Sequence, residues 1–259
     1  AAGGILSQWG YSVPAFTAAG VATLNFIAIF FLLPESLTAE RREEINQRKR
    51  LPFTIKALVE VLRRPTVGPL LHVRFFYGLG FATFQGIFSL YTQAIGLSAQ
   101  TTGYILAYVG LISVIVQGVL IGQLTKRFRE NWLIITGLWV MALALLAWGF
   151  TTQLWVLLIV ILPLGLAGGV LNTVLQSTIS KSVHRDEIGG ILGIAGSLEA
   201  FTRVIAPSVG GLLLQSLGTW APGVFSAVVM GWAVTFAYRR IILLSIRQRR
   251  LAEAEVTHA

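Results

Sequence analysis

Glu199 and Arg203 have the best-placed reactive side chains in this chain: an acid and a base four positions apart inside a stretch, 188–215, that is otherwise free of charge. The i,i+4 spacing sets both on one helical face. A charge at the centre of a bilayer costs about 2.5–3.5 kcal/mol on insertion scales, so such groups persist only when paired or facing water. Two roles are open: a self-neutralising structural pair, or a carboxylate that takes up a proton or cation and is tuned by Arg203. Asn172 and Gln176 share a second face, one turn apart, beyond Pro163. Their amides suit either a substrate or a neighbouring helix. Phe84, Gln85, Phe88 and Tyr91 would form an aromatic and amide wall for the same cavity. Nothing points to catalysis. His72, His184 and His258 are not spaced like metal ligands, and cysteine is absent. No glycine-rich phosphate loop runs into a lysine. No enzyme activity, metal or cofactor is therefore expected, and energy would come from an ion gradient.

The elements that must hold these residues follow from three nearly uncharged stretches, 75–125, 131–180 and 188–238, each about fifty residues long. A bilayer core about 30 Å thick takes about 20 helical residues to cross. Each stretch is therefore two crossings around a turn, at 96–100, 149–153 and 218–222. A further apolar run, 1–34, holds one crossing and a fraction, so the chain is expected to begin partway through a hairpin, with upstream helices belonging to it. Three hairpins and one crossing make seven. At 55% hydrophobic and 12% charged, the composition is far from the roughly 25% charged residues of soluble domains. The net charge of +9 lies in clusters at 41–64, 126–129, 181–185 and 239–250, every one at an open hairpin end. That is the positive-inside bias: clusters and C-terminus cytoplasmic, neutral turns and N-terminus outside. It excludes a nucleic-acid surface, which needs aromatics interleaved with basic residues. A retinal protein is excluded because the last crossing, 223–242, has no lysine for a Schiff base.

Gly3-Gly4-Ile5-Leu6-Ser7-Gln8 recurs as Gly210-Gly211-Leu212-Leu213-Leu214-Gln215, and Gly10 and Pro14 recur as Gly218 and Pro222. Six crossings separate the copies, so the repeat unit is a six-helix bundle. Leu33-Pro34-Glu35-Ser36-Leu37, Gly122-Gln123-Leu124-Thr125-Lys126-Arg127 and Arg203-Val204-Ile205-Ala206-Pro207 together resemble the major facilitator superfamily. The second of these resembles its Gly-x-Leu-x-Asp-Arg loop, carried by Gly122, Leu124 and Arg127 with Lys126 in the Asp position. The third is similar to the drug/proton antiporters of the tetracycline-efflux branch, and Ala1-Ala2-Gly3-Gly4 matches the tail of their Gly-Pro-x-x-Gly-Gly signature. The resemblance implies an all-α integral membrane fold whose seven transmembrane helices are the last part of a twelve-helix transporter. Residues 1–37 would end the first bundle, 38–66 would be a cytoplasmic linker, 67–245 the second bundle and 246–259 a cytoplasmic tail. It further implies a bacterial inner membrane, protons and a small molecule as partners, and efflux of amphipathic drugs by alternating access. A transporter of a polar metabolite, or a non-transporting membrane subunit, stays open.

Polarity sorts the helices. The segments 13–33, 132–149 and 223–242 are apolar all round and are expected to face lipid, whereas 75–94 and 157–179 carry the amides and hydroxyls of a cavity wall. Glycine pairs at 118/122, 165/169 and 189/193 suit close helix approach. Arg74, near a basic helix end with His72, is expected to snorkel. Within the linker Ile55, Leu58, Val59 and Leu62 form an apolar stripe, which predicts a surface helix before Pro65.

Overall fold

The computed structural model describes residues 6, 9–10, 12–32, 55–184 and 187–243. The first copy of the repeat, the 33–37 motif, most of the linker and the tail lie outside the described residues. The chain divides into two units, 1–52 and 53–259.

In the first unit, α1 (Ser12–Leu32) is apolar around its whole circumference. Two of its hydroxyls are satisfied within the helix: Thr17 donates to the Val13 carbonyl at 2.8 Å and Thr23 to that of Ala19 at 2.9 Å. That local bonding is what a helix in an apolar surrounding requires.

The second unit contains α2 (Ile55–Arg63), α3 (Gly68–Ala94), α4 (Ala99–Arg127), α5 (Glu130–Gly149), α6 (Leu154–Lys181), α7 (Ile188–Leu217) and α8 (Ala221–Ala237). A single π turn, Val116–Leu120, interrupts α4, and another, Tyr238–Leu243, follows α8. The three predicted turns are where the helices break. Gly96 (φ 82°) and Gly218 (φ 97°) take left-handed conformations there that a Cβ disfavours. Ser98 caps α4 by accepting from the Thr101 amide at 3.2 Å. Six described helices are long and apolar enough to cross a membrane: α1 and α4 to α8. The seventh expected crossing, α3, has the length at 27 residues, about 40 Å, but Arg74, His72 and its amides and hydroxyls lower its hydropathy.

Packing follows a chain of neighbours: α4 on α6, α6 on α5, α5 on α8, α8 on α3 and α3 on α7. Small residues set the closest crossings. A Cβ on Gly223 would lie 2.4 Å from the Gly149 Cα, and one on Gly86 2.7 Å from the Pro207 ring. Of the predicted glycine pairs, Gly165 and Gly169 receive Ile112 and Val116 of α4, whereas Gly118, Gly122, Gly189 and Gly193 face open space.

Two of the expected lipid-facing helices turn a large part of their surface inward, and α8 does so with Met230, Ala233 and Ala237 buried against its neighbours α5 and α3. The apolar helix α5 does not chiefly face lipid; it is the most buried of the candidate spans, 61% of its most apolar window lying inside. Leu138, Met141, Leu145 and Trp148 are fully enclosed between α6 and α8. Lipid tails and apolar side chains offer similar surroundings, so hydrophobicity alone does not say which a helix faces. The outward faces belong to α4 and α7, only 17% and 22% buried over the same length of window. Helix α2 docks on the bundle through Leu58, Val61 and Leu62, with Val61 buried and Val59 41% exposed, so its inner face is turned from the predicted stripe.

Candidate functional site

Small residues bring α3 and α7 close enough for their polar side chains to meet. A Cβ on Gly78 would touch the Thr202 hydroxyl, and one on Gly210 would sit against Thr83 and Ile87. Across this seam Glu199 lies between two guanidinium groups. Arg74 Nη2 donates to its Oε2 at 2.8 Å, and Arg203 Nη2 donates to its Oε1 at 2.6 Å. The side chains are 9%, 33% and 69% exposed for Arg74, Glu199 and Arg203, so the Arg74 contact is the desolvated one. Arg74 does not snorkel. It turns inward onto the Glu199 carboxylate, whose attraction and hydrogen bond offset the cost of leaving water. Nothing local in the sequence links the two; the available signal was Arg74 itself, the one Asp, Glu, Lys or Arg residue in 68–94.

A cavity of about 220 Å³ opens beside this triad. Tyr77, Phe81 and Gln85 of α3, Ser113 and Gln117 of α4, Asn172 of α6 and Thr202 of α7 line it, together with Gly165, Gly168 and Gly169 of α6. The π turn of α4 falls where Gln117 borders the cavity; such one-turn widenings recur at functional sites. The Tyr77 hydroxyl donates to the Gly168 carbonyl at 3.0 Å, pinning α3 to α6 across the floor. A second, wider hollow of about 530 Å³ shares Arg74, Asn172 and Glu199 and runs along α6 past Thr173, Gln176, Ser177 and Ser180.

Of the candidate residues, Glu199, Arg203, Gln85 and Asn172 thus meet at one cavity, with Gln176 in the adjoining hollow. Phe84, Phe88 and Tyr91 do not line either. Phe84 and Phe88 continue a ring ladder, Tyr77–Phe81–Phe84–Phe88, into the core, where Phe84 also meets Trp148 edge-on. Tyr91 is fully buried against Trp148, its hydroxyl donating to the Trp148 and Thr151 carbonyls. Adjacent helical residues point about 100° apart, so Gln85 faces the cavity while Phe84 faces the core. Gly122, Leu124 and Arg127 sit at the far end of α4 and border neither hollow.

The basic end of the bundle is laced by exposed or half-exposed pairs. Arg64 donates to both carboxylate oxygens of Glu187 at 2.8 and 3.2 Å, and this bonding raises the Arg64 pKa. Lys181 and Thr178 both donate to Glu130, at 2.5 and 3.0 Å, tying the end of α6 to the start of α5.

The family model described as Major Facilitator Superfamily matches residues 1–130 and again 70–253. Solute carrier family 22 member 18 of Rattus norvegicus is 29% identical over 218 residues, which is 83% of this chain and 53% of that protein. The class C tetracycline resistance protein of Escherichia coli is 27% identical over 266 residues, 99% of this chain and 62% of that one. Among solved structures, the human organic anion transporter MFSD10 (TETRAN) superposes with a TM-score of 0.63 at 20% identity, over 88% of this chain and 57% of the other. The chain spans about half the length of the first curated relatives it matches.

Proposed function

The chain belongs to the Major Facilitator Superfamily, and from that premise we propose that it forms the closing part of a secondary active transporter that expels small amphipathic compounds by proton-coupled alternating access. It is a multi-pass membrane protein of a transporter family, not an enzyme. The observation that carries the proposal is the cavity between α3, α4, α6 and α7, bordered by an intramembrane carboxylate. A rocking transporter needs a site near the membrane midplane and a group whose charge changes with the driving ion. Glu199, a carboxylate within the α7 span at the edge of the cavity, is the candidate for that group. Ionised, it leaves the triad with a net charge of +1; a proton raises this to +2 and loosens both arginine contacts, which changes the cavity's field without any ligand.

Gln85 and Asn172 would orient the substrate, with Gln176 along the adjoining hollow. In this reading residues 1–37 would end the first bundle, 38–66 would be the cytoplasmic linker, 67–245 the second bundle and 246–259 a cytoplasmic tail. Similarity to a tetracycline resistance protein supports efflux, and a bacterial inner membrane with its basic loops inside is the matching location.

The test is gradient-driven accumulation of labelled tetracycline in everted membrane vesicles carrying the complete transporter. Ala82→Trp, which fills the cavity, abolishes accumulation, and Glu199→Gln abolishes the part driven by an imposed pH gradient. Unchanged accumulation in both variants refutes the proposal.

A further inference from the structure

The basic end of the second unit has a neutralised side and an uncompensated one. On the side of α2, α6 and α7 the cations have acids to hand. Arg64 bonds Glu187, Lys181 bonds Glu130, and the exposed Glu60 stands three positions before Arg63 on α2. Elsewhere, Arg129 in the turn before α5 and Arg239 and Arg240 in the turn after α8 are exposed. None of the three has an acidic partner among the described residues.

The two turns share one edge of the bundle. Gly149 near the end of α5 touches Gly223 near the start of α8, so the helices run antiparallel and the start of α5 lies at the same end as the finish of α8. The turn 238–243 packs on α5. All three cations are arginines, whose planar forks match phosphate oxygens two at a time.

Aromatic side chains stand among these charges. Phe128, Trp132 and Tyr238 are half-exposed or more, and an indole or phenol turned outward at the end of a membrane span belongs at headgroup depth. From here an exposed apolar stripe runs along each helix, through Trp139 and Leu143 on α5 and through Trp232 and Val228 on α8. Acyl chains would lie along such stripes, whereas a free inorganic anion would use the cations alone.

We propose that Arg129, Arg239 and Arg240 bind the phosphate of an anionic phospholipid in the leaflet at the basic end, with its acyl chains against the outward stripes of α5 and α8. The site is separate from the proposed transport site, since neither hollow includes a residue of this patch.

The test equilibrates the complete transporter, in an uncharged detergent, with equal amounts of phosphatidylglycerol and phosphatidylcholine bearing the same acyl chains. Native mass spectrometry then identifies the lipid retained. Phosphatidylglycerol is preferred. Arg239→Gln with Arg240→Gln lowers that preference at least roughly fivefold, the contribution of one cation near an anionic membrane surface. Arg63→Gln with Arg64→Gln removes the same charge from the neutralised side and leaves the preference in place. Elution profiles like the parent's show that a loss is not loss of fold, and Arg129→Gln, in a different turn, lowers the preference without altering the end of α8. Equal retention of the two lipids by the unaltered protein overturns the site, as does a preference that survives both Arg129→Gln and the Arg239, Arg240 pair. Equal falls in the two double variants reduce the effect to diffuse surface charge and also overturn it. Displacement of the lipid by millimolar inorganic phosphate shows a phosphate site instead.

Discussion

Removing Glu199 should cost far more than removing Arg203, although the two residues bond each other at 2.6 Å. Glu199→Leu strands Arg74 with no counter-ion in a site that leaves 9% of its side chain exposed. Breaking a buried pair by deleting one partner costs about 3–5 kcal/mol. Because the Glu199 side chain is itself 33% exposed, the cost falls to or just below the bottom of that range, about 2–3 kcal/mol. Arg203 is 69% exposed, and an i,i+4 surface pair contributes about 0.3–0.5 kcal/mol. Arg203→Leu therefore costs well under 1 kcal/mol. Replacing both members of the desolvated pair, Arg74→Leu with Glu199→Leu, removes two charges and two unpaired donors together and returns stability to within about 1 kcal/mol of the parent. The assay is thermal unfolding in an uncharged detergent, followed by the fluorescence of the chain's seven tryptophans. At about 2–4 °C per kcal/mol for a unit of this size, Glu199→Leu lowers the midpoint by roughly 4–12 °C and Arg203→Leu by no more than about 2 °C. Equal losses for the two single variants, or a double variant as unstable as Glu199→Leu, would show that Arg74 is not the partner that matters.

Gly223→Ala forces a methyl to within 2.4 Å of the Gly149 Cα and should lower stability by at least about 1–3 kcal/mol. Gly103→Ala, with nothing within 4 Å, should be neutral or stabilising by up to about 1 kcal/mol, and the same melts compare them. Tyr91→Phe removes the one hydroxyl proton shared between the Thr151 and Trp148 carbonyls; the Trp148 carbonyl keeps the Thr151 amide at 3.1 Å, so the loss is about 1–2 kcal/mol, read as an earlier melting midpoint. The chain has no cysteine, so single cysteines report orientation directly. A membrane-impermeant maleimide should label Gln153→Cys in intact cells and Lys126→Cys only after permeabilisation; the opposite pattern reverses the topology.

The sequence alone determined six apolar spans among the described residues, the turns at 96–100, 149–153 and 218–222, and one local pair. Run length against bilayer thickness is a one-dimensional constraint, and glycines at 96 and 218 mark the turns because few other residues adopt their backbone angles. Glu199 and Arg203 were legible together because four positions on a helix is a contact in its own right. Arg74 was not, since its partner is 125 residues away and only the seam between α3 and α7 joins them. Likewise the aromatic wall expected at Phe84, Phe88 and Tyr91 belongs to the core, one residue's rotation from Gln85 at the cavity. The amphipathic contrast that locates a soluble core is missing from a membrane helix, because its lipid face and its packed face are equally apolar. Which way α3 turned, and that α5 rather than α4 or α7 lay inside, was therefore decided by how side chains and glycines fit between neighbouring helices, which is a property of the tertiary structure.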